Sequence, residues 1–339
     1  MILHRDYETR STCDLRKCGA HRYAEDPTTD VIVAVFIAET AGGALGDPVI
    51  WRPGEPVPEI AKIAAAEQWT FAGHNAAFEQ AIDRGVLGQR YKFPIITDKQ
   101  VDCTLARCAI MGLPLGLGQA CAALKLRYQK DDAGHRLMMK MCKPRKPRKG
   151  EAAGLYWYES PEEIARLTQY CIADVRAEIA LDKVLFPMSE SEKRVWRLDQ
   201  RMNNRGVQID VPFVDVAARV VNDTIVRHNA ELAVITGGYV TAATQVERIK
   251  DFCKAQDVEL RVDTKIRRNG EECETEALDK EAIEDLLDGE LPAAVRRVLE
   301  IRLAAGKSSV KKLEKFKQQA CFDGRARGNL QYHGAQPGR

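Results

Sequence analysis

The sequence predicts an α/β domain with a mixed sheet in its first half and a mostly helical domain in its second. Three observations predict it. Short apolar runs alternate with helical patterns up to about residue 185, as expected of strands interleaved with helices. Pro187 then interrupts the chain. Beyond it nearly every long segment carries a helical repeat, and only short strand candidates remain.

Residues 2–9 and 31–38 read as strands, the second an unbroken apolar run of the kind buried in a sheet. A helix is expected over 60–68, then a short strand at 69–73 running into a helix over 75–87. Helices follow at 103–111, 117–126 and 136–142, with Asp102 expected to cap the first of them. The stretch 144–154 holds two prolines and two glycines and breaks the pattern. Ser160 then opens a capping box with Glu163, and Pro161 suits the first turn of a helix running to about 185. A second capping box, Ser189 with Glu192, opens a helix to about 204. Strand candidates remain at 207–209 and 259–262, among helices over 211–235, 244–255, 277–287, 292–304 and 308–319. The domain boundary is expected near Pro187, giving domains 1–187 and 188–339.

At 339 residues the chain is long for a single core. With 45% hydrophobic and 29% charged residues it has the make-up of a soluble globular protein. It contains no run of about eighteen apolar residues that would span a membrane, and its first residues lack the apolar stretch of a secretory signal. A cytoplasmic location is expected. The ten cysteines include no CxxC pair and read as reduced thiols. Cys13, Cys18 and His21 lack a fourth ligand at a useful spacing, so a polar loop is preferred there over a zinc site. Net charge is only +2, but six of the ten residues from 140 to 149 are basic, and Lys307, Lys311, Lys312, Lys315 and Lys317 form a second cluster. Such patches are suited to phosphates.

The chemistry sits in carboxylates. Asp6 and Glu8 are two apart on a predicted strand and so point to one side of it. Two carboxylates beside apolar neighbours repel each other unless a cation lies between them, and hard divalent cations such as Mg²⁺ or Mn²⁺ take oxygen ligands of this kind. Taken alone, the pair is a common pattern. Glu79 follows at a strand-to-helix junction, where the helix dipole would also favour a carboxylate without any metal. Tyr170 and Asp174 are four apart on a helix and project together, as surface pairs often do. His4 and His74 read as packing or hydrogen-bonding residues.

In their order and context these three segments resemble the DEDDy family of 3′→5′ exonucleases, of ribonuclease-H-like fold. With 143–146 (KPRK) and 194–209 (RVWRLDQRMNNRGVQI), the whole chain is similar to the N-terminal part of phage family-A DNA polymerases. That resemblance implies hydrolysis of the 3′-terminal phosphodiester of single-stranded DNA by two divalent cations, Mg²⁺ with Mn²⁺ able to substitute, held roughly 3.5–4 Å apart. Asp6 would bridge both. Glu8 and Asp174 would complete the water-activating site, and Glu79 would serve the other. Tyr170 would orient the attacking water. Many relatives carry Asp where this chain has Glu79. Asn75 and Phe78 would lie beside substrate, though a core role suits Phe78 better, and Lys143 and Arg145 lie on the basic loop expected to guide single strand.

The resemblance further implies a helical thumb after the exonuclease domain, with Lys307, Ser308, Ser309 and Lys311 contacting duplex phosphates. The last residues, Pro337-Gly338-Arg339, resemble the approach to a palm whose carboxylates are absent. The chain alone is therefore expected not to polymerise, and a separate chain carrying palm and fingers is a partner this reading allows. Two alternatives stand beside it: a catalytically inactive DNA-binding subunit of a split polymerase, and a free-standing RNA-processing exonuclease.

Overall fold

In a computed structural model, residues 1–127, 131–266, 270–306 and 308–335 are described. The chain forms two compact units, Met1–Ile209 with Gln318–Arg339, and Asp210–Lys317.

In the first unit the order is β1 (Ile2–Arg10), α1 (Leu15–Glu25), β2 (Asp30–Glu39), β3 (Val49–Trp51), α2 (Glu59–Ala66), β4 (Thr70–Gly73) and α3 (Ala76–Ile82). A π-helical turn, Asp83–Leu87, leads into α4 (Gly88–Tyr91), β5 (Val101–Cys103), α5 (Thr104–Ile110), α6 (Leu117–Ala123) and α7 (Asp132–Met141). Then come α8 (Pro161–Asp182), α9 (Glu190–Arg205) and the short β6 (Val207–Gln208). The sheet is mixed and five-stranded, in the order β3-β2-β1-β4-β5. β1 is central: it pairs antiparallel with β2 and parallel with β4.

Because strand side chains alternate, β1 feeds two cores at once. Leu3 and Tyr7 join Phe36, Trp51, Phe71 and Ile82 on the side of α1 and α3. On the opposite side Val33, Val35 and Ile37 of β2 pack against Leu167, Cys171, Val175 and Ile179 of α8. The β1–β2 register slips between Glu8 and Thr9. This bulge bends the strand beside the acidic pair. The π-helical turn packs tightly on α1, since a Cβ at Gly85 would lie 2.8 Å from the Ala24 carbonyl oxygen. Only glycine fits there.

Several expectations need correction. Residues 15–25 form α1 rather than a polar loop. Asp102 lies in β5 instead of capping α5; its carboxylate accepts from the Cys103 amide at 2.9 Å and faces Arg107 at 3.3 Å. The compact units divide at Ile209 rather than near Pro187. The physical reason is Trp196 of α9, which packs with Ala76, Val101 and Met188 in one buried cluster. β6 also pairs with β9 (Arg325–Ala326), so the chain returns to the first unit after the second.

The second unit comprises α10 (Val211–Ile235), α11 (Val246–Ala255), the hairpin β7 (Val262–Ile266) and β8 (Glu272–Glu276), α12 (Lys280–Asp288), α13 (Ala293–Ala305) and most of α14 (Ser308–Gln319). Its own core gathers Leu232, Ile249, Ile283, Val295, Val298 and Leu299. Among the described residues no helix is long and apolar enough to cross a membrane.

Candidate active site

The first unit carries a cleft of about 480 Å³ whose lining includes Asp6, Glu8, Asn75, Phe78, Lys143, Tyr170 and Asp174. Residues from β1, the β4–α3 junction and α8 thus converge, although up to 168 positions separate Asp6 from Asp174. Asp6 and Glu8 project from the α8 face of β1, as a strand period of two requires. Burial raises the pKa of both, and for Glu8 the neighbouring Asp6 and Asp174 carboxylates add to the shift. Glu79, only 2% exposed, is pushed well up by burial and then by Asp6. Its Oε2 is buried and has no hydrogen-bond partner in the structure.

Tyr170 stands on the same face of α8 as Asp174, and burial and then the Asp174 carboxylate raise the pKa of its hydroxyl. The ring is fixed from the other side by α7. A Cβ at Gly134 would overlap the Tyr170 ring and lie 2.6 Å from an Asp131 carboxylate oxygen. Asp131 itself caps α7 by accepting from the Gly134 amide at 2.9 Å, and it pairs with Arg166 of α8. The same Tyr170 and Asp174 also line a second hollow with Gly116, Gln119 and Cys121.

One site residue was missed from the sequence. The Cys171 thiol lies 3.4 Å from Asp6 Oδ2 and 3.5 Å from the Asp6 carbonyl oxygen. Among the described residues, Asp6, Glu8 and Cys171 form a group whose ligand atoms all lie within 4.8 Å of one another. Burial and the adjacent carboxylates push the thiol well up, and it donates to Asp6. The remaining donors are carboxylate oxygens, a hard set, and the unpartnered Glu79 oxygen nearby fits the same kind of cation.

Asn75 adopts a left-handed conformation (φ 76°, ψ 46°) at the start of α3. A non-glycine residue there is strained unless its surroundings hold it, and such residues concentrate at functional sites. Phe78 both lines the cleft and packs against the core beside Tyr23, with ring centroids 6.3 Å apart. His4 is bonded to Glu178 at 2.6 Å, and His74 to Thr104 and the Leu115 carbonyl at 3.1 and 2.8 Å. Lys143 reaches the cleft. Arg145 does not: it is held by Glu151 at 2.6 and 2.7 Å and over the Tyr156 ring at 4.7 Å. Of the expected duplex contacts, Lys307 lies outside the described residues, as do the side chains of Ser308, Ser309 and Lys311; Pro337, Gly338 and Arg339 lie outside them too.

A sandwiched mixed sheet with an acidic cleft on its central strand defines a class of fold, and comparison with known proteins narrows it. No protein-family model matches the chain. In fold the chain is similar to the POL domain of Pol1 from M. smegmatis in complex with DNA primer-template and dNTP, with a TM-score of 0.51 and 17% sequence identity over 92% of this chain and 48% of that one. In sequence it resembles a DNA polymerase of Bacillus phage SP02, 29% identical over 335 residues, which cover 97% of this chain and 48% of the phage protein. The chain spans about half the length of each.

Proposed function

We propose that the first unit is a metal-dependent 3′→5′ exonuclease of the DEDDy kind, on a ribonuclease-H-like sheet, acting on the single-stranded 3′ end of DNA as the proofreading part of a polymerase-related protein. The observation that carries this reading is the meeting of Asp6, Glu8, Tyr170 and Asp174 in one cleft. The sheet order and the 29% identity to a phage DNA polymerase support it. The second unit, helical and with its own core, would hold duplex DNA.

When bound, a pair of divalent cations would supply a polarised water and stabilise the departing 3′ oxygen. Asp6, Glu8 and Asp174 would hold them, with Glu79, whose carboxyl feels the Asp6 charge, contributing as well. The chain's own part is orientation. Cys171 donates to one Asp6 oxygen, Tyr170 stands beside Asp174, and its hydroxyl would direct the water at the terminal phosphorus. Lys143 at the cleft offsets phosphate charge.

A substrate panel tests the assignment. Purified protein with Mg²⁺ is given 5′-labelled single-stranded DNA, matched RNA, and DNA with a blocked 3′ end. Stepwise shortening of the open DNA alone is expected. Binding without shortening would indicate a DNA-holding subunit, and preferential loss of the RNA would indicate an RNA-processing enzyme.

A further inference from the structure

Cys13 and Cys18 flank the start of α1. Asp14 is its N-cap, with a side chain accepting from the Arg16 amide at 3.1 Å, and the Cys18 amide bonds the Asp14 carbonyl at 3.0 Å. Cys13 therefore occupies the position just before the cap and Cys18 the fourth helical position. In many helices these two positions hold apolar side chains that pack on each other as a hydrophobic staple. Here both members of the staple are thiols. Their sulfurs lie 2.9 Å apart.

The surroundings hold this pair in place. The Cys13 amide donates to Ser11 Oγ at 2.9 Å, and the Ser11 amide donates to the Cys142 carbonyl at 3.1 Å. Gly19, at φ 78°, breaks the helix directly after Cys18. Cys18 is 5% exposed, whereas Cys13 is half-buried and lines the acidic cleft with Asp6 and Glu8. Among the described residues no third metal ligand completes a site around the two sulfurs. Two thiols in contact, one of them reachable, suit disulfide formation better than metal binding.

We propose that Cys13 and Cys18 are a redox-active dithiol in the wall of the acidic cleft, closing to an intramolecular disulfide when a small disulfide such as oxidised glutathione is present. The Cys13 thiolate attacks one sulfur of the oxidant and expels one glutathione thiolate, leaving a mixed disulfide on Cys13. Cys18 then attacks the Cys13 sulfur and expels the second. The protein loses two electrons and two thiol protons, and both end on two molecules of reduced glutathione. In a reducing compartment the pair would return to thiols.

The intact chain is incubated with oxidised glutathione, alkylated under denaturing conditions and digested with trypsin without reductant. Cleavage after Arg10, Arg16, Lys17 and Arg22 separates the two cysteines. Oxidation should remove two of the ten alkylatable thiols and yield peptide 11–16 joined to peptide 18–22, two hydrogens lighter than their sum. Cys18→Ser should stop at Cys13 carrying one glutathione, and Cys13→Ser should give no linked peptide, so either variant suffices if the other fails to fold. Separate alkylation of both cysteines in the wild type after oxidation would overturn the proposal. So would glutathione retained on wild-type Cys13, or a link from Cys13 to another cysteine such as Cys142.

Discussion

Arg5 is a permanent charge enclosed in the apolar layer beneath the acidic cleft. It is 2% exposed, faces Asp83 at 2.9 Å and lies 4.9 Å over the Phe71 ring, while Asp83 also accepts from the Tyr7 hydroxyl at 2.8 Å. Asp83→Ala would strand a buried cation and is expected to cost about 3 kcal/mol or more in denaturant unfolding. Replacing both partners, Arg5→Met with Asp83→Leu, should recover much of that loss; if the double variant is no better than the single one, the pair is not the cause. His21 carries a second prediction. Burial, and then Arg327 and Arg84, hold its pKa down at about 4 from the ordinary 6.5. Between those values the unfolded chain takes up a proton that the folded one refuses, so stability should fall as pH drops from 6.5 to 4, by on the order of 2 kcal/mol. His21→Asn should flatten that part of the profile. At this scale the strand and helix repeats made legible that Asp6 shares a face with Glu8 and Tyr170 with Asp174, while the meeting of the two pairs in one cleft was expected from the family resemblance. Cys171 and the Arg5–Asp83 pair were not, because each depends on a neighbour distant in sequence.

Among elements, α7 and α8 meet closely at Gly134 and Tyr170. Gly134→Ala should displace the ring and slow phosphodiester hydrolysis by up to about a hundredfold, since small misplacements of an orienting group carry costs of that order. Its rate should approach that of Tyr170→Phe. A fully active Gly134→Ala beside an inactive Tyr170→Phe would show that the contact has slack. The long elements were readable in advance: α10 and α14 have the bounds their patterns predict, and α8 opens at the Ser160 capping box. Short ones were not. β3 and β5 have three residues each and are defined by pairing rather than by periodicity. α1 hides because its buried side chains are only Cys18, Tyr23 and Ala24 and Gly19 interrupts it. The hairpin β7–β8 alternates polar residues, so no apolar pattern marked it.

For the whole molecule, the break in composition near Pro187 suggested a boundary that packing does not respect, because α9 and the segment after Gln318 complete the first unit. Each unit has its own buried cluster. In calorimetry the transition of the unit with the acidic cleft should move upward with Mg²⁺, by about 2.7 kcal/mol at a hundredfold excess over Kd. That shift should vanish in Asp6→Asn with Glu8→Gln, while the other unit's transition stays in place. The central claim is that the carboxylates of β1 and α8 drive hydrolysis from a free 3′ end. It is tested most directly by following 5′-labelled single-stranded DNA over time with Mg²⁺, for wild type, Asp6→Ala and Asp174→Ala. The expected result is a ladder shortening one nucleotide at a time in the wild type, abolished by chelator and lost in both variants. Equal shortening in wild type and variants, or an intact strand with the wild type, would contradict it.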